Sequence, residues 1–107
     1  MVKLMKMIVM FDLPTGNKAE RKSYAEFRKY HIKEGFTMMQ FSVYTKTCLG
    51  MPGAQALEER LRSHLPLSGS VTCFLMTEKM FADRKILVQT TSGHKEEDIG
   101  EQLTLIF

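Results

Sequence analysis

The chain has 107 residues, 44% of them hydrophobic, enough for one modest core and too few for two independent ones. Lys and Arg total 15 against 12 Asp and Glu, a formal charge of +3 with a pI near 9.0, which gives a mild bias toward polyanionic partners. Cys48 and Cys73 lack CxxC or Cys/His ligand spacing, which argues against a disulfide framework and a zinc site, and the apolar run after MVKLMK breaks too early, at Asp12 and Pro14, for a secretory signal or a membrane span. A soluble, unprocessed, cytoplasmic protein without membrane association is expected.

In chain order, Met7 to Phe11 (MIVMF) is uninterrupted apolar sequence closed by Asp12-Leu13-Pro14-Thr15-Gly16-Asn17, which predicts a central strand buried on both faces and then a turn. Lys18 to Glu34 changes to a helical period, with Ser23, Tyr24, Tyr30 and His31 sharing the face of Phe27. Lys18, Arg21, Lys22, Lys29 and Lys33 fall on the opposite side, Arg28 sits at its margin, and Gly35 supplies a C-terminal stop. Phe36 to Lys46 alternates with a slip of phase between Met38 and Met39, which predicts two strands joined by a turn or bulge near Gln40. After the loop Leu49 to Gly53, the repeat of Ala54, Leu57, Leu61 and Leu65 predicts a second helix ending before Pro66. Val71 to Thr77 reads as another apolar strand, Glu78 to Asp83 as a short turn or 3₁₀ piece, and Ile86 to Gln89 as a further strand. Thr90 to Gln102 is polar and acidic, and an apolar run, Leu103 to Phe107, follows it.

This order predicts an α+β fold: a ferredoxin-like βαββαβ domain over residues 1–107, with its core at about 5–90, an additional C-terminal strand and a tail at about 91–107. Two helices cover one face of such a sheet, yet its central strands look apolar on both, so a second copy of the chain is the expected cover and a homodimer the expected state.

Charge is unevenly placed. Nine basic against four acidic residues up to Lys46 give +5, while six against eight from Thr47 onward give −2. The basic side of the first helix (Lys18, Arg21, Lys22, Arg28, Lys29, Lys33) is therefore a candidate nucleic-acid surface that could neutralise phosphates, with a solvated helix face as the competing reading. Asp12 is the candidate catalytic and metal-binding residue, because a carboxylate where a buried strand emerges can hold Mg²⁺ against phosphate oxygens. The competing reading makes it a turn residue bonded to the following backbone. One carboxylate is too few for a protein-built magnesium site, so a second Asp12 from a dimer, or water and substrate phosphate, must complete it. Tyr24, Phe27, Tyr30 and His31 read as core, whereas Ser42 and Tyr44 alternate with Phe41 and Val43 and are expected to point outward. No P-loop, dinucleotide fingerprint, nucleophile elbow or HExxH is present.

Met7-Ile-Val-Met-Phe-Asp-Leu-Pro-Thr15, then Glu20-Arg-Lys-Ser-Tyr-Ala-Glu-Phe-Arg-Lys29, Glu34-Gly-Phe36 and Gln40-Phe-Ser-Val-Tyr44 together resemble the CRISPR-associated Cas-two family, in particular members from type II systems. The resemblance spans roughly residues 5 to 90. It implies a ferredoxin-like homodimer in which a late strand pairs with the partner's sheet, and an Mg²⁺-dependent endonuclease, a phosphodiester hydrolase, centred on Asp12. It further implies a role in spacer acquisition, in which the dimer bridges two dimers of the Cas-one integrase and holds DNA. Single-stranded RNA is the other candidate substrate. A non-catalytic scaffold that grips spacer DNA is the alternative reading.

Overall fold

The computed structural model describes residues 3–90. Its elements are β1 (Leu4–Asp12), α1 (Lys18–Glu34), β2 (Thr37–Gln40), β3 (Val43–Leu49), α2 (Gly50–Arg62), β4 (Ser70–Thr77) and α3 (Glu78–Ala82). The four strands form one antiparallel sheet in the order β2-β3-β1-β4. This is the expected ferredoxin-like α+β arrangement, with β1 central and paired on both sides.

Local chemistry fixes α1. The Asn17 side chain accepts from the Glu20 amide at 2.8 Å while the Glu20 carboxylate accepts from the Asn17 amide at 3.2 Å, a reciprocal capping box. At the other end Gly35 adopts φ +100°, a conformation that favours glycine, and closes the helix. The second helix starts earlier than its leucine repeat suggests, because the Gly50 amide donates to the Lys3 carbonyl at 2.8 Å and Pro52 suits a first helical turn.

One sheet face carries Met7, Val9 and Phe11 of β1 against Tyr24 and Phe27 of α1 and Ala54, Leu57 and Leu61 of α2, all buried. His31 is fully buried among Phe11, Phe27, Tyr30, Phe36 and Tyr44, its Nδ1 2.9 Å from the Phe27 carbonyl oxygen. The helices are clasped to the sheet at one corner, where the Glu34 carboxylate lies 2.7 Å from Arg60 and 3.7 Å from Lys46, and the Lys46 ammonium also donates to the Glu34 carbonyl. The opposite face of the sheet carries Lys6, Ile8, Met10 and Asp12 of β1. Over its Lys6 end folds α3, with Lys6 Nζ 3.1 Å from Glu78 and 4.8 Å from the Phe81 ring centroid. Among the described residues no helix covers its other end, and Met10 and Phe74 keep 41% and 40% of their surface exposed.

Two expectations are corrected. Tyr44 does not point outward; it is buried in the helix-side core, stacked on Phe11 with centroids 5.7 Å apart, while Val43 takes the second face. The cause is the irregular register between Met38 and Gln40 together with Ser42, whose φ of +60° turns the chain and resets which residues face inward. Ile86 to Gln89 forms no strand, and Ile86, Leu87 and Val88 are 59%, 87% and 84% exposed. A strand exists only by pairing, and this segment pairs with neither free edge of the sheet, β2 or β4. The tail 91–107, including the run Leu103 to Phe107, lies outside the described residues.

Candidate functional site

Asp12 is the last residue of β1 and exposed, so the strand delivers its carboxylate to the bare end of the sheet. Alternation settles its direction, since Val9 and Phe11 enter the core while Met10 and Asp12 take the other face. The turn reading is not supported by its surroundings: among the described residues its carboxylate has no hydrogen-bond or ion-pair partner, and Asn17 does the capping. Both neighbouring strands steady it. On one side the Phe11 amide donates to the Ser42 carbonyl at 3.1 Å. On the other Asp12 pairs with Ser70 at the start of β4.

The approach of β4 is unusually close. A Cβ built on Gly69, whose φ is +98°, would lie 2.7 Å from the Asp12 carbonyl oxygen, 2.8 Å from Leu13 Cδ2 and 3.1 Å from Leu13 Cα. Only glycine fits there, for conformation and for space together. Beyond Asp12, Leu13 turns into the core and locks the exit from β1.

The expected basic face is placed in part. Lys18, Lys22, Lys29 and Lys33 are exposed along α1, and Arg28 is half-buried at the margin. Arg21 departs from expectation: it is buried, with Nη1 3.4 Å from the Thr15 carbonyl. The segment after Asp12 folds back onto the first turns of α1, so this guanidinium braces the Asp12 turn rather than facing solvent. The structure therefore brings Arg21 toward the Asp12 turn but leaves the lysines on the helical layer, across the sheet from the carboxylate. Among the described residues no group of three or more His, Cys, Asp or Glu could hold a metal ion. Asp12 stands alone. That donor set fits Mg²⁺, which keeps several waters and uses one or two carboxylates plus phosphate, and does not fit an ion needing an all-protein cage.

Elsewhere the titrating groups read as structure. Burial pulls the Glu34 carboxyl upward, but the Arg60 hydrogen bond and the Arg60 and Lys46 charges outweigh it and hold Glu34 below the usual carboxylate range. Burial raises the thiols of Cys48 and Cys73, and both are free, so neither is an activated nucleophile. Gly69 and Ser70 are the members of this neighbourhood that sequence reasoning missed. Their only signal was a glycine directly before a strand, which many loops share.

The family described as CRISPR associated protein Cas2 matches residues 5–84. The chain belongs to this family. Its relatives include a protein named CRISPR-associated endoribonuclease Cas2 from Acidovorax ebreus, 45% identical over 78% of this chain and 82% of that one. Another of the same name, from Streptococcus mutans serotype c (strain ATCC 700610 / UA159), is 47% identical over 73% of this chain and 72% of its own. A third, from Campylobacter jejuni, is 40% identical over 96% of this chain and 72% of its own, and so reaches into the tail. The fold matches a solved structure described as "Crystal structure of cas2" with a TM-score of 0.57 at 22% identity, covering 86% of this chain and 95% of that one. The Cas2 match ends at Arg84, two residues beyond α3, the last element among the described residues. No helix of the described residues is long and apolar enough to cross a membrane.

Proposed function

We propose that the chain is a CRISPR adaptation protein that binds nucleic acid, cleaves phosphodiester bonds as a metal-dependent endonuclease and takes part in spacer acquisition with the Cas-one integrase. The observation that carries the nuclease reading is Asp12: a carboxylate without a partner among the described residues, fixed at the end of the central strand by both neighbouring strands, in a family whose relatives bear the name endoribonuclease. A homodimer would bring two copies of Asp12 to one site, and the exposed Met10 and Phe74 further along the same face, with the unpaired apolar run Ile86 to Val88, support such an assembly. In that dimer the paired Asp12 carboxylates would hold Mg²⁺, which would supply charge neutralisation at the scissile phosphate and make an attacking water more acidic. The chain's own residues do the rest. The Asp12 carboxylates orient water and cation, and Arg21, Leu13 and Gly69 hold the turn so that the carboxylate does not swing away.

Replacement of Asp12 by Asn keeps the shape and removes the charge, so it abolishes Mg²⁺-dependent cleavage of labelled single-stranded RNA and duplex DNA while the protein stays folded. Undiminished cleavage by the variant would remove Asp12 from the chemistry. The scaffold reading draws on a separate observation: the exposed lysines of α1 lie on the layer opposite Asp12. Duplex bound along α1 is held away from the carboxylate, as a spacer-holding role requires. Full duplex binding by Asp12→Asn without any cleavage by the unaltered chain selects the scaffold.

A further inference from the structure

We infer that Ser70 is a substrate-contacting residue of the Asp12 site, its hydroxyl donating a hydrogen bond to a non-bridging oxygen of the bound phosphate, and that Gly69 exists to place it there. The inference rests on the Asp12 reading and adds a second functional group to it.

Asp12 and Ser70 are direct partners in the β1–β4 ladder. Residues opposite each other in an antiparallel pair project to the same face, with Cβ atoms roughly 5 Å apart. The Ser70 hydroxyl therefore shares the bare end of the sheet with the Asp12 carboxylate, and Ser70 is exposed. A carboxylate alone repels a phosphodiester, so a neutral donor beside it can hold the anion at the edge of the site without cancelling the carboxylate charge. Serine can do this because its hydroxyl rotates to suit an acceptor.

Gly69 supplies the second, independent observation. Its close approach to the Asp12 carbonyl and to Leu13 sets the height at which β4 enters the sheet, and hence the Asp12–Ser70 pairing. A side chain at 69 would push β4 away from the backbone of Asp12, and with it the hydroxyl. The same closeness packs Gly69 against Leu13 of the buried core, so this one position ties the Asp12–Ser70 pairing to the core.

The test compares Ser70→Ala, Ser70→Thr and Gly69→Ala with the unaltered chain, with folding followed by circular dichroism and thermal melting. Because Ser70 is exposed, Ser70→Ala melts with the unaltered chain, raises KM for single-stranded RNA by roughly five- to tenfold and leaves kcat little changed, as expected for one hydrogen bond to a charged group at a wet site. Ser70→Thr, which keeps the hydroxyl, restores KM. Binding of uncleaved RNA gives a readout independent of turnover: adding Ser70→Ala to Asp12→Asn weakens affinity by a similar factor. If Asp12→Asn abolishes cleavage while Ser70→Ala changes neither KM nor RNA affinity, the inference is overturned and the Asp12 reading stands. If Asp12→Asn cleaves normally, the Asp12 reading fails first. Gly69→Ala raises KM together with a lowered melting temperature; a folded Gly69→Ala with unaltered KM overturns the placement role.

Discussion

Lys22 and Lys29 offer a quantitative test of whether α1 meets nucleic acid. Both are exposed on the same side of the helix, two turns apart, within a lysine series running from Lys18 to Lys33. That series spans about 22 Å at about 1.5 Å per residue. Duplex DNA presents a charge about every 1.7 Å of axis, or about 13 along this length, so phosphates outnumber the lysines and each ammonium can find one. Replacing Lys22 and Lys29 by Ala then removes two contacts per chain, and the slope of log affinity against log salt becomes shallower by about 1.8 for each chain that meets the duplex. Between about 50 and about 200 mM salt this means the unaltered protein loses about twelvefold more affinity than the variant for each such chain. Fluorescence anisotropy of a labelled duplex across a salt series measures it. Melting temperatures should agree closely, since exposed substitutions usually fall within about 0.5 kcal/mol. An unchanged slope would show that these lysines are ordinary solvated charges and that nucleic acid binds elsewhere.

Other consequences can be checked together. Deleting the chain from Lys85 onward removes the exposed run Ile86 to Val88 without touching the described core, so circular dichroism should keep its helix and sheet signal while light scattering shows loss of the dimer and nonspecific association; a clean, soluble monomer refutes the assembly. Glu34→Gln should destabilise by about 1 kcal/mol near neutrality, modest because Arg60 is half exposed. Since Glu34 is held below its ordinary value of 4.5, its contribution is present above that pH and fades as pH falls through the lower folded value, so the gap between the two melting curves should close in acid; a gap independent of pH assigns the loss to packing. Cys48, buried and with a raised thiol, should react with iodoacetamide at pH 8 far more slowly in the folded chain than in denaturant, and equal rates would contradict its placement.

Much of this was legible in the sequence because the signals were local. The helical period from Lys18 and the stop at Gly35 mark α1, and an apolar run before Asp12 marks β1 and the position of the carboxylate. What was not legible depends on contacts between distant segments. Arg21 looks like its lysine neighbours on a helical wheel, and only the fold-back at Thr15 buries it. Tyr44 faces the core because the β2–β3 register shifts and Ser42 turns the chain, which alternation counted from Phe41 cannot foresee. Ile86 to Gln89 has strand composition but pairs with neither free edge of the sheet, β2 or β4, and composition alone names no partner strand. The closeness of Gly69 to Asp12 joins residues more than fifty positions apart and leaves no periodic trace.

The aromatic cluster around His31 also makes the protein its own optical reporter. The chain has no tryptophan and three tyrosines, so ultraviolet emission comes from Tyr24, Tyr30 and Tyr44 alone. Tyr24 and Tyr44 are buried in the helix-side core, and Tyr30 lies against His64 with ring centroids 4.1 Å apart. None of them sits on the Asp12 face of the sheet. Tyrosine emission therefore tracks the docking of α1 on the sheet rather than the Asp12 face, so folding can be followed without a label.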